Sequence, residues 1–247
     1  MSALWLRIFF ILIPLTSCVY SLSEAQDQNG AEETAPSALP PPRTTYLGRE
    51  IALPMSYLGA DWLLRKERQE QENCSLMLQL LGSKSGMTVC DMGCGNGFYA
   101  LQLANIVGET GRVLAVDIQP EMLTLLRARA RQEQIDNIQP VLGTVIDPSL
   151  PVGKVDLILC VDVYHEFSHP EYMLRAMRKS LSAEGRIVLV EFRSEDPEVP
   201  IKKLHKMSRD QIIKEMRHNG LQLANEFNEL PWQHMMFFGR DDTWESP

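Results

Sequence analysis

The sequence predicts an α/β fold: a doubly wound, mostly parallel sheet of seven strands with an antiparallel hairpin at its edge. From residue 87 onward, short apolar runs alternate with helical stretches, as in strands joined by crossover helices. The central runs are continuously apolar, which strands buried on both faces require. Only residues 228–232 separate the last two runs, so these two strands should pair antiparallel without a helix between them.

Seven runs are predicted as strands and four stretches as helices. The strands are MTVCDMG (87–93), GRVLAVDI (111–118), NIQPVLG (137–143), VDLILCVDV (155–163), RIVLVEF (186–192), LQLANEF (221–227) and QHMMFFG (233–239). The helices are GFYALQLANIVG (97–108), QPEMLTLLRARARQEQI (119–135), PEYMLRAMRKSLSAEG (170–185) and SRDQIIKEMRHNG (208–220). Pro120 suits a first helical turn, Ser208 an N-cap and Gly220 a helix end.

Residues 1–18 are predicted to be a signal peptide or lipoprotein signal. Arg7 precedes an apolar core that is too short to span a bilayer comfortably. The end of this stretch, LTSC, resembles a bacterial lipobox, in which Cys18 would be lipidated. Cleavage further on, after Ala25, and an uncleaved anchor are the alternatives. The chain is therefore expected to be exported or attached to a membrane through its N-terminus.

Composition then divides the remainder of the chain. Residues 19–45 are polar and contain three consecutive prolines, which predicts a disordered linker. Residues 46–247 are long enough for one well-packed domain. Within it, residues 46–82 are predicted to form an N-terminal helical lid and residues 83–247 the α/β core.

The charge balance argues against a nucleic-acid partner. The formal net charge is −8, and the lysines and arginines form no block along the chain. Proteins that hold a phosphate backbone usually carry a basic patch or stripe. We therefore expect no nucleic-acid partner.

A glycine-rich loop follows the first predicted strand, in the stretch VCDMGCGNGFYA (89–100). Gly93, Gly95 and Gly97 allow a tight turn and let a ligand approach the main chain. A dinucleotide-binding loop has the pattern G-x-G-x-x-G, and Phe98 occupies the position of its third glycine. The loop therefore predicts a ligand other than a dinucleotide.

Two acidic residues near this loop indicate the chemistry of the ligand. Asp91 lies just before the glycines, where its carboxylate would repel a pyrophosphate and suit a cation. Asp117 ends the next strand and is placed to accept hydrogen bonds from two ribose hydroxyls. A ligand with a ribose, no phosphates and a positive end fits S-adenosylmethionine.

These motifs make residues 87–192 resemble a class I S-adenosylmethionine-dependent methyltransferase, similar to the branch that contains quinone-ring C-methyltransferases and other small-molecule enzymes. The family's first motif matches residues 91–97, and its adenine-side acid matches Asp147. The resemblance implies the Rossmann-like fold and S-adenosyl-L-methionine as cofactor. The cofactor-binding residues expected on these grounds are Asp91, Gly93, Cys94, Gly95, Gly97, Asp117, Ile118, Asp147 and Asp162.

Residues 165–169, HEFSH, match the zinc-protease pattern H-E-x-x-H. That pattern must lie inside a helix so that both histidines share one face. Here it directly follows a predicted strand, and Pro170 favours a helix that begins only after the motif. We therefore expect a loop, no zinc hydrolase and no metal.

The same loop supplies the candidate catalytic residues, Tyr164, His165 and Glu166. Ligands of open α/β sheets bind at the carboxyl ends of the strands, where this loop lies. Tyr164 would line the site, and His165 or Glu166 would remove a proton from the methyl acceptor. His165 could instead be a structural residue, and His205 and His234 are further candidates to join it.

The predicted function is in-line transfer of a methyl group from S-adenosylmethionine to a small-molecule acceptor. The alternatives are a non-catalytic S-adenosylmethionine-binding module and a protein methyltransferase. Because S-adenosylmethionine is made and kept in the cytoplasm, this function is in tension with an exported location.

Overall fold

The computed structural model describes residues 39–245 of the chain. The predicted signal, with its lipobox, and most of the predicted linker lie outside the described residues. The fold below belongs to one compact unit, residues 41–247. Among residues 39–245, no helix has the length and apolar character needed to cross a bilayer.

The N-terminal segment, predicted as a helical lid, is only partly helical. It begins with a hairpin of two-residue strands, β1 (Thr45–Tyr46) and β2 (Arg49–Glu50). A 3₁₀ helix (Tyr57–Leu64) and two short α-helices, α1 (Arg68–Glu72) and α2 (Cys74–Leu80), follow. Such short elements lack the periodicity that would distinguish them in a sequence.

A seven-stranded sheet forms the centre of the domain, as predicted. Its strands are β3 (Thr88–Met92), β4 (Arg112–Asp117), β5 (Ile138–Leu142), β6 (Val155–Val161), β7 (Leu181–Phe192), β8 (Leu221–Phe227) and β9 (Gln233–Arg240). The strand order is β5-β4-β3-β6-β7-β9-β8. The first five strands pair in parallel, and β9 pairs antiparallel with both β7 and β8.

Four longer helices cover the sheet: α3 (Phe98–Val107), α4 (Pro120–Gln132), α5 (Pro170–Ser180) and α6 (Arg209–His218). Successive strand residues point to opposite faces, and buried side chains accordingly form two clusters. Val89 packs in the cluster of α2 and α3, whereas its neighbour Cys90 packs in the cluster of α5 and α6. The sheet is therefore buried on both faces.

The largest difference from the predicted boundaries is at the start of β7. The helix predicted over residues 170–185 ends at Ser180, and β7 starts at Leu181 rather than at Arg186. Leu181 has an extended backbone and pairs with Val155 of β6. Sheet pairing therefore overrides the helical pattern of the preceding residues.

The topology also shows where a ligand should bind. After β3 the chain builds the sheet outward through β4 and β5, then returns to place β6 on the other side of β3. Such a reversal leaves a crevice at the carboxyl ends of the central strands. The loops that follow β3, β4 and β6 all open into this crevice.

Candidate active site

The loop after β3 packs so closely that none of its three glycines can be replaced without displacement of a neighbour. Gly93 and Gly95 have φ values of +68° and +53°. A Cβ atom at Gly93 would lie 2.3 Å from Val163 Cγ2, and one at Gly95 would lie 2.6 Å from Leu63 Cδ1. The loop therefore fits directly against the loop after β6 and the N-terminal segment. Gly97 caps the start of α3, with a φ of +86°.

Asp117 is fixed beside this loop. Its Oδ2 accepts a hydrogen bond from the Gly95 amide at 2.9 Å, and its Oδ1 accepts one from the Gln119 amide at 2.9 Å. Burial raises the pKa of Asp117, and these backbone hydrogen bonds oppose the rise. Each oxygen keeps a further lone pair. Asp117 and Ile118 both line the central cavity, as a ribose-binding position requires.

Asp91 and Cys94 lie behind the loop rather than on the cavity surface. Burial raises the pKa of Asp91 to about 7. Its Oδ2 is buried and has no hydrogen-bond partner within the protein. Such an atom needs a partner, and a nearby ammonium group would provide one. The Cys94 thiol is buried and lies 3.6 Å from the Gly95 carbonyl oxygen.

The other two predicted cofactor acids have different positions. Asp162, with a φ of +51°, lines the cavity and accepts hydrogen bonds from Gln233 Nε2 at 3.0 and 2.8 Å. Burial raises its pKa. Asp147 is exposed, and its carboxylate accepts a hydrogen bond from the Ser149 amide at 2.7 Å. Thr144, not Asp147, lines the cavity at this turn.

One cavity of about 580 Å³ connects these residues with the loop after β6. This volume lies within the usual range for small-molecule sites. Gly93, Gly95 and Asp117 lie on its wall together with His165 and Glu166. Much of the remaining wall is apolar: Leu53, Met55, Trp62, Phe167, Met173 and Phe192.

The N-terminal segment lies over the glycine loop after β3. Hydrogen bonds attach it to that loop and to the loop after β4. Asn96 Nδ2 donates to the Ala60 carbonyl at 2.8 Å. Gln119 Nε2 donates to the Met55 carbonyl at 2.8 Å and accepts from the Tyr57 amide at 2.9 Å. The segment therefore lies over the cavity with a mixed secondary structure, and its role as a lid stays a prediction.

Sequence reasoning missed Arg68, which follows the 3₁₀ helix. It lines the cavity, yet is only 5% exposed. Its Nε donates to Glu72 Oε2 at 2.6 Å, and its Nη1 donates to the Leu63 carbonyl at 3.1 Å. The surrounding sequence, RKERQEQE, reads as a solvated charged face. Only the helical spacing of Arg68 and Glu72 could have indicated a pair.

His165 is the centre of a buried polar cluster. Its Nδ1 lies 2.6 Å from Glu191 Oε2, and its Nε2 lies 3.0 Å from His205 Nδ1. Glu166 Oε1 lies 3.9 Å from His165 Nε2 and 3.8 Å from His205 Nδ1. Burial, the largest influence, lowers the pKa of His165, but Glu191 more than compensates and the net change is upward. His205 thus joins the site, whereas His234 pairs elsewhere, with Glu195 at 3.0 Å.

Tyr164 does not line the cavity. Its side chain is fully buried, and its hydroxyl donates to Glu215 Oε2 at 2.6 Å. The ring also packs edge-on against Phe167, with centroids 5.4 Å apart. This placement argues for a structural role rather than the catalytic one that the sequence suggested.

The HEFSH motif does not lie in an α-helix. Residues Tyr164–Glu166 form a 3₁₀ turn, and α5 begins at Pro170. His169 lies at the helix start, where its Nδ1 is 2.9 Å from Ser168 Oγ. The two histidines therefore do not share a helix face, which agrees with the interpretation that this is not a zinc-protease motif.

The crevice, the glycine loop and the acid that ends β4 are the features expected of one class of protein: an α/β domain for a nucleoside cofactor without a pyrophosphate. Residues 83–234 match the family model described as "Methyltransferase domain". The chain belongs to this methyltransferase family, as the motifs predicted.

The matches to curated relatives cover only part of each relative's length. The chain is 27% identical over 158 residues to a demethylmenaquinone methyltransferase from Lactococcus lactis, covering 63% of this chain and 60% of that protein. It is 30% identical over 116 residues to the ubiquinone/menaquinone biosynthesis C-methyltransferase UbiE from Ectopseudomonas mendocina, covering 47% and 45%. The match thus spans less than two thirds of either relative.

Solved structures agree with the fold. A SAM-dependent methyltransferase from Aquifex aeolicus superposes with a TM-score of 0.71 at 22% identity, covering 75% of this chain and 98% of that one. The YcgJ protein of Bacillus subtilis gives a TM-score of 0.52 at 23% identity, covering 62% and 70%. At these identities the comparison shows the fold: that of S-adenosylmethionine-dependent methyltransferases.

Proposed function

We propose that this enzyme transfers the methyl group of S-adenosylmethionine to a small molecule. One observation carries the proposal: a single cavity joins the glycine loop and Asp117 to the polar cluster around His165. A cofactor and an acceptor bound at its two ends would meet inside it.

The cofactor end offers partners for three polar parts of S-adenosylmethionine. Asp117 would accept hydrogen bonds from the ribose hydroxyls. Asp91 lies just behind the cavity wall, and its unpartnered carboxylate oxygen would attract the ammonium group. Arg68 is a cation on the cavity wall, and it would attract the carboxylate of the methionine part. The residues present therefore fit the cofactor.

Little further chemistry is required of the protein. S-adenosylmethionine supplies a methyl group on a positively charged sulfur that is already reactive. The residues around it mainly align the acceptor and exclude water. Met55 and Trp62 of the N-terminal segment, together with Phe167, provide the apolar wall that excludes water.

The acceptor end supports a small, largely apolar molecule with one polar group. Its walls are apolar, whereas His165, Glu166 and His205 form a polar patch in the same cavity. Two relatives are named as quinone-pathway methyltransferases, and a reduced quinone ring has both properties. We propose an acceptor of this kind, with His165 or Glu166 receiving the proton that the acceptor loses.

The test is incubation of the purified chain with methyl-labelled S-adenosylmethionine and a cell extract. We expect label in an organic-soluble small molecule, identified by mass spectrometry. Label confined to protein bands would replace the proposal with protein methylation. Calorimetric binding of the cofactor with no labelled product from any extract would leave a non-catalytic binding module.

A further inference from the structure

Three side chains from two separate loops converge at the acceptor end of the cavity. His165 and Glu166 lie in the 3₁₀ turn after β6, and His205 lies in the 3₁₀ turn Lys203–His205 beyond β7. Their ligand atoms are His165 Nε2, Glu166 Oε1 and His205 Nδ1, which all lie within 4.8 Å of one another. Two imidazole nitrogens and one carboxylate oxygen form a ligand set found in catalytic zinc sites and other transition-metal sites.

Glu191 determines which nitrogen of His165 faces the other two residues. Its Oε2 lies 2.6 Å from His165 Nδ1, and its Oε1 accepts a hydrogen bond from the Tyr164 amide at 2.9 Å. Because a carboxylate accepts, we assign the proton of the neutral ring to Nδ1. The lone pair on Nε2 then points towards His205. Metal-binding histidines are commonly oriented by a carboxylate in this way.

The spacing of the three atoms suits a metal ion. Their separations are 3.0 Å between the two nitrogens, and 3.9 and 3.8 Å from Glu166 Oε1 to the nitrogens of His165 and His205. A point equidistant from the corners of such a triangle lies about 2.1 Å from each, and zinc binds imidazole nitrogen and carboxylate oxygen at about 2.0–2.2 Å. The three ligand atoms are therefore spaced as they would be around a zinc ion, and small side-chain rotations would aim the lone pairs at it.

The charge of the surroundings also favours a cation. The side chain of Glu191 is fully buried, and that of Glu166 is 13% exposed. Buried carboxylates need a positive partner. The guanidinium of Arg49 donates to the His165 carbonyl at 2.9 Å and is engaged by Glu215, with its Nε 2.8 Å from Oε1 and its Nη2 3.0 Å from Oε2. Lys202 also lines the cavity. A divalent ion between the two imidazoles would balance Glu166 and Glu191.

Against the expectation from the sequence that the protein holds no metal, we propose that His165, Glu166 and His205 bind one zinc ion, with Glu191 orienting His165 and the cavity leaving the fourth position open. The metal site itself does not depend on the cofactor. Its role rests on the proposed function: an oxygen of the acceptor would be the fourth ligand, and the ion would lower the pKa of that hydroxyl. With His165 Nε2 and Glu166 Oε1 bound to the ion, the acceptor's proton would pass to solvent rather than to either side chain. The side chain of His205 is 32% exposed, which gives the ion an entry path.

The test measures zinc by metal analysis of the full chain, and titrates metal-stripped protein with cobalt(II), whose visible absorption reports imidazole ligands. We expect one equivalent of either ion. His165→Ala, His205→Ala and Glu166→Gln should each lower the affinity at least 100-fold. Glu191→Gln should lower it 10- to 100-fold, as is usual for an orienting carboxylate.

Two other histidines provide matched controls. His169→Ala removes the second histidine of HEFSH, and His234→Ala removes a histidine paired with Glu195. Both variants should retain the full equivalent. Circular dichroism of each variant confirms that it is folded. Magnesium should not compete, since imidazole ligands select transition metals.

The proposal is overturned if folded wild-type protein binds neither zinc nor cobalt. It is equally overturned if His169→Ala, and not His205→Ala, removes the ion. Cofactor binding by the metal-stripped protein is measured separately by calorimetry. If the stripped protein binds S-adenosylmethionine and no ion, the metal site fails while the proposed methyltransferase function stands.

Discussion

His165 Nδ1 lies 2.6 Å from Glu191 Oε2, although Glu191 is 26 residues further along the chain, on the neighbouring strand. The strand β7 runs parallel to β6, so their carboxyl ends meet at the same edge of the sheet. Glu191, held on the sheet, thus orients the His165 ring. The second ring nitrogen, Nε2, faces His205 in the cavity.

Replacing Asp117 by Ala should weaken the binding of S-adenosylmethionine by about 1–3 kcal/mol, because hydrogen bonds to a charged group are lost. Calorimetry measures the change. Asp147→Ala is the matched control, since Asp147 is exposed and does not line the cavity. An equal loss in both variants would contradict the geometry and restore Asp147 as a cofactor residue.

Replacing Gly95 by Ala should lower both stability and cofactor affinity. The left-handed backbone should cost about 1–2 kcal/mol with any side chain, and the new Cβ would also collide with Leu63. Gly153→Ala shares the left-handed backbone, with a φ of +67°, but its Cβ would contact nothing within 4 Å. Chemical denaturation should show a lower free energy of unfolding in both variants. Calorimetry should show weaker cofactor binding in Gly95→Ala alone.

The buried Asp91 should make stability depend on pH. Its pKa of about 7 lies above its unfolded value of about 3.9. The folded chain therefore holds a proton that the unfolded chain releases, and the free energy of unfolding falls as pH rises from about 4 to about 7. Asp91→Asn should reduce this slope and raise stability at pH 8 by up to about 4 kcal/mol.

Urea denaturation at pH 5 and pH 8 measures that difference. Other buried carboxyls, such as Asp162, also have a raised pKa and should retain part of the slope in the variant. If Asp91→Asn and the wild type show the same dependence on pH, then Asp91 is ionised throughout this range.

Substitutions at His165 and Tyr164 should distinguish an effect on turnover from an effect on stability. His165→Ala should lower turnover per folded molecule roughly 10²- to 10⁴-fold, the span typical of a positioned acid-base group. Tyr164→Phe loses the hydrogen bond to Glu215 and should lose about 1–3 kcal/mol of stability. Its turnover, corrected for the folded fraction, should remain near wild type. Reduced corrected turnover in Tyr164→Phe would return that residue to the site.

The sequence was sufficient to predict those parts of the structure that depend on local pattern. Short apolar runs, continuous in the central strands, located the seven strands, and the glycine loop with Asp117 indicated the expected cofactor end. The end of α5 was misplaced because pairing of Leu181 with Val155 is a long-range contact. Asp147 matched a family position by spacing, yet its turn points the carboxylate towards its own backbone.

The sequence could not predict which distant segments come together in the fold. His205 follows His165 by 40 residues, and no local signal relates the two. Arg68 lies in a charged run that resembles a solvated helix face, although the structure buries it against Glu72. Both positions depend on the tertiary path of the chain, which local periodicity does not encode.

The placement of β9 has a consequence for how the protein is made. Because β9 lies between β7 and β8, the strand β8 emerges from the ribosome before the partner with which it pairs. Until β9 is synthesised, β7 and β8 both present unpaired edges, which are prone to association with other chains. Gln233, at the start of β9, also holds Asp162 in place. A nascent chain stalled after β8 would therefore lack both a closed sheet and the support of its cofactor site.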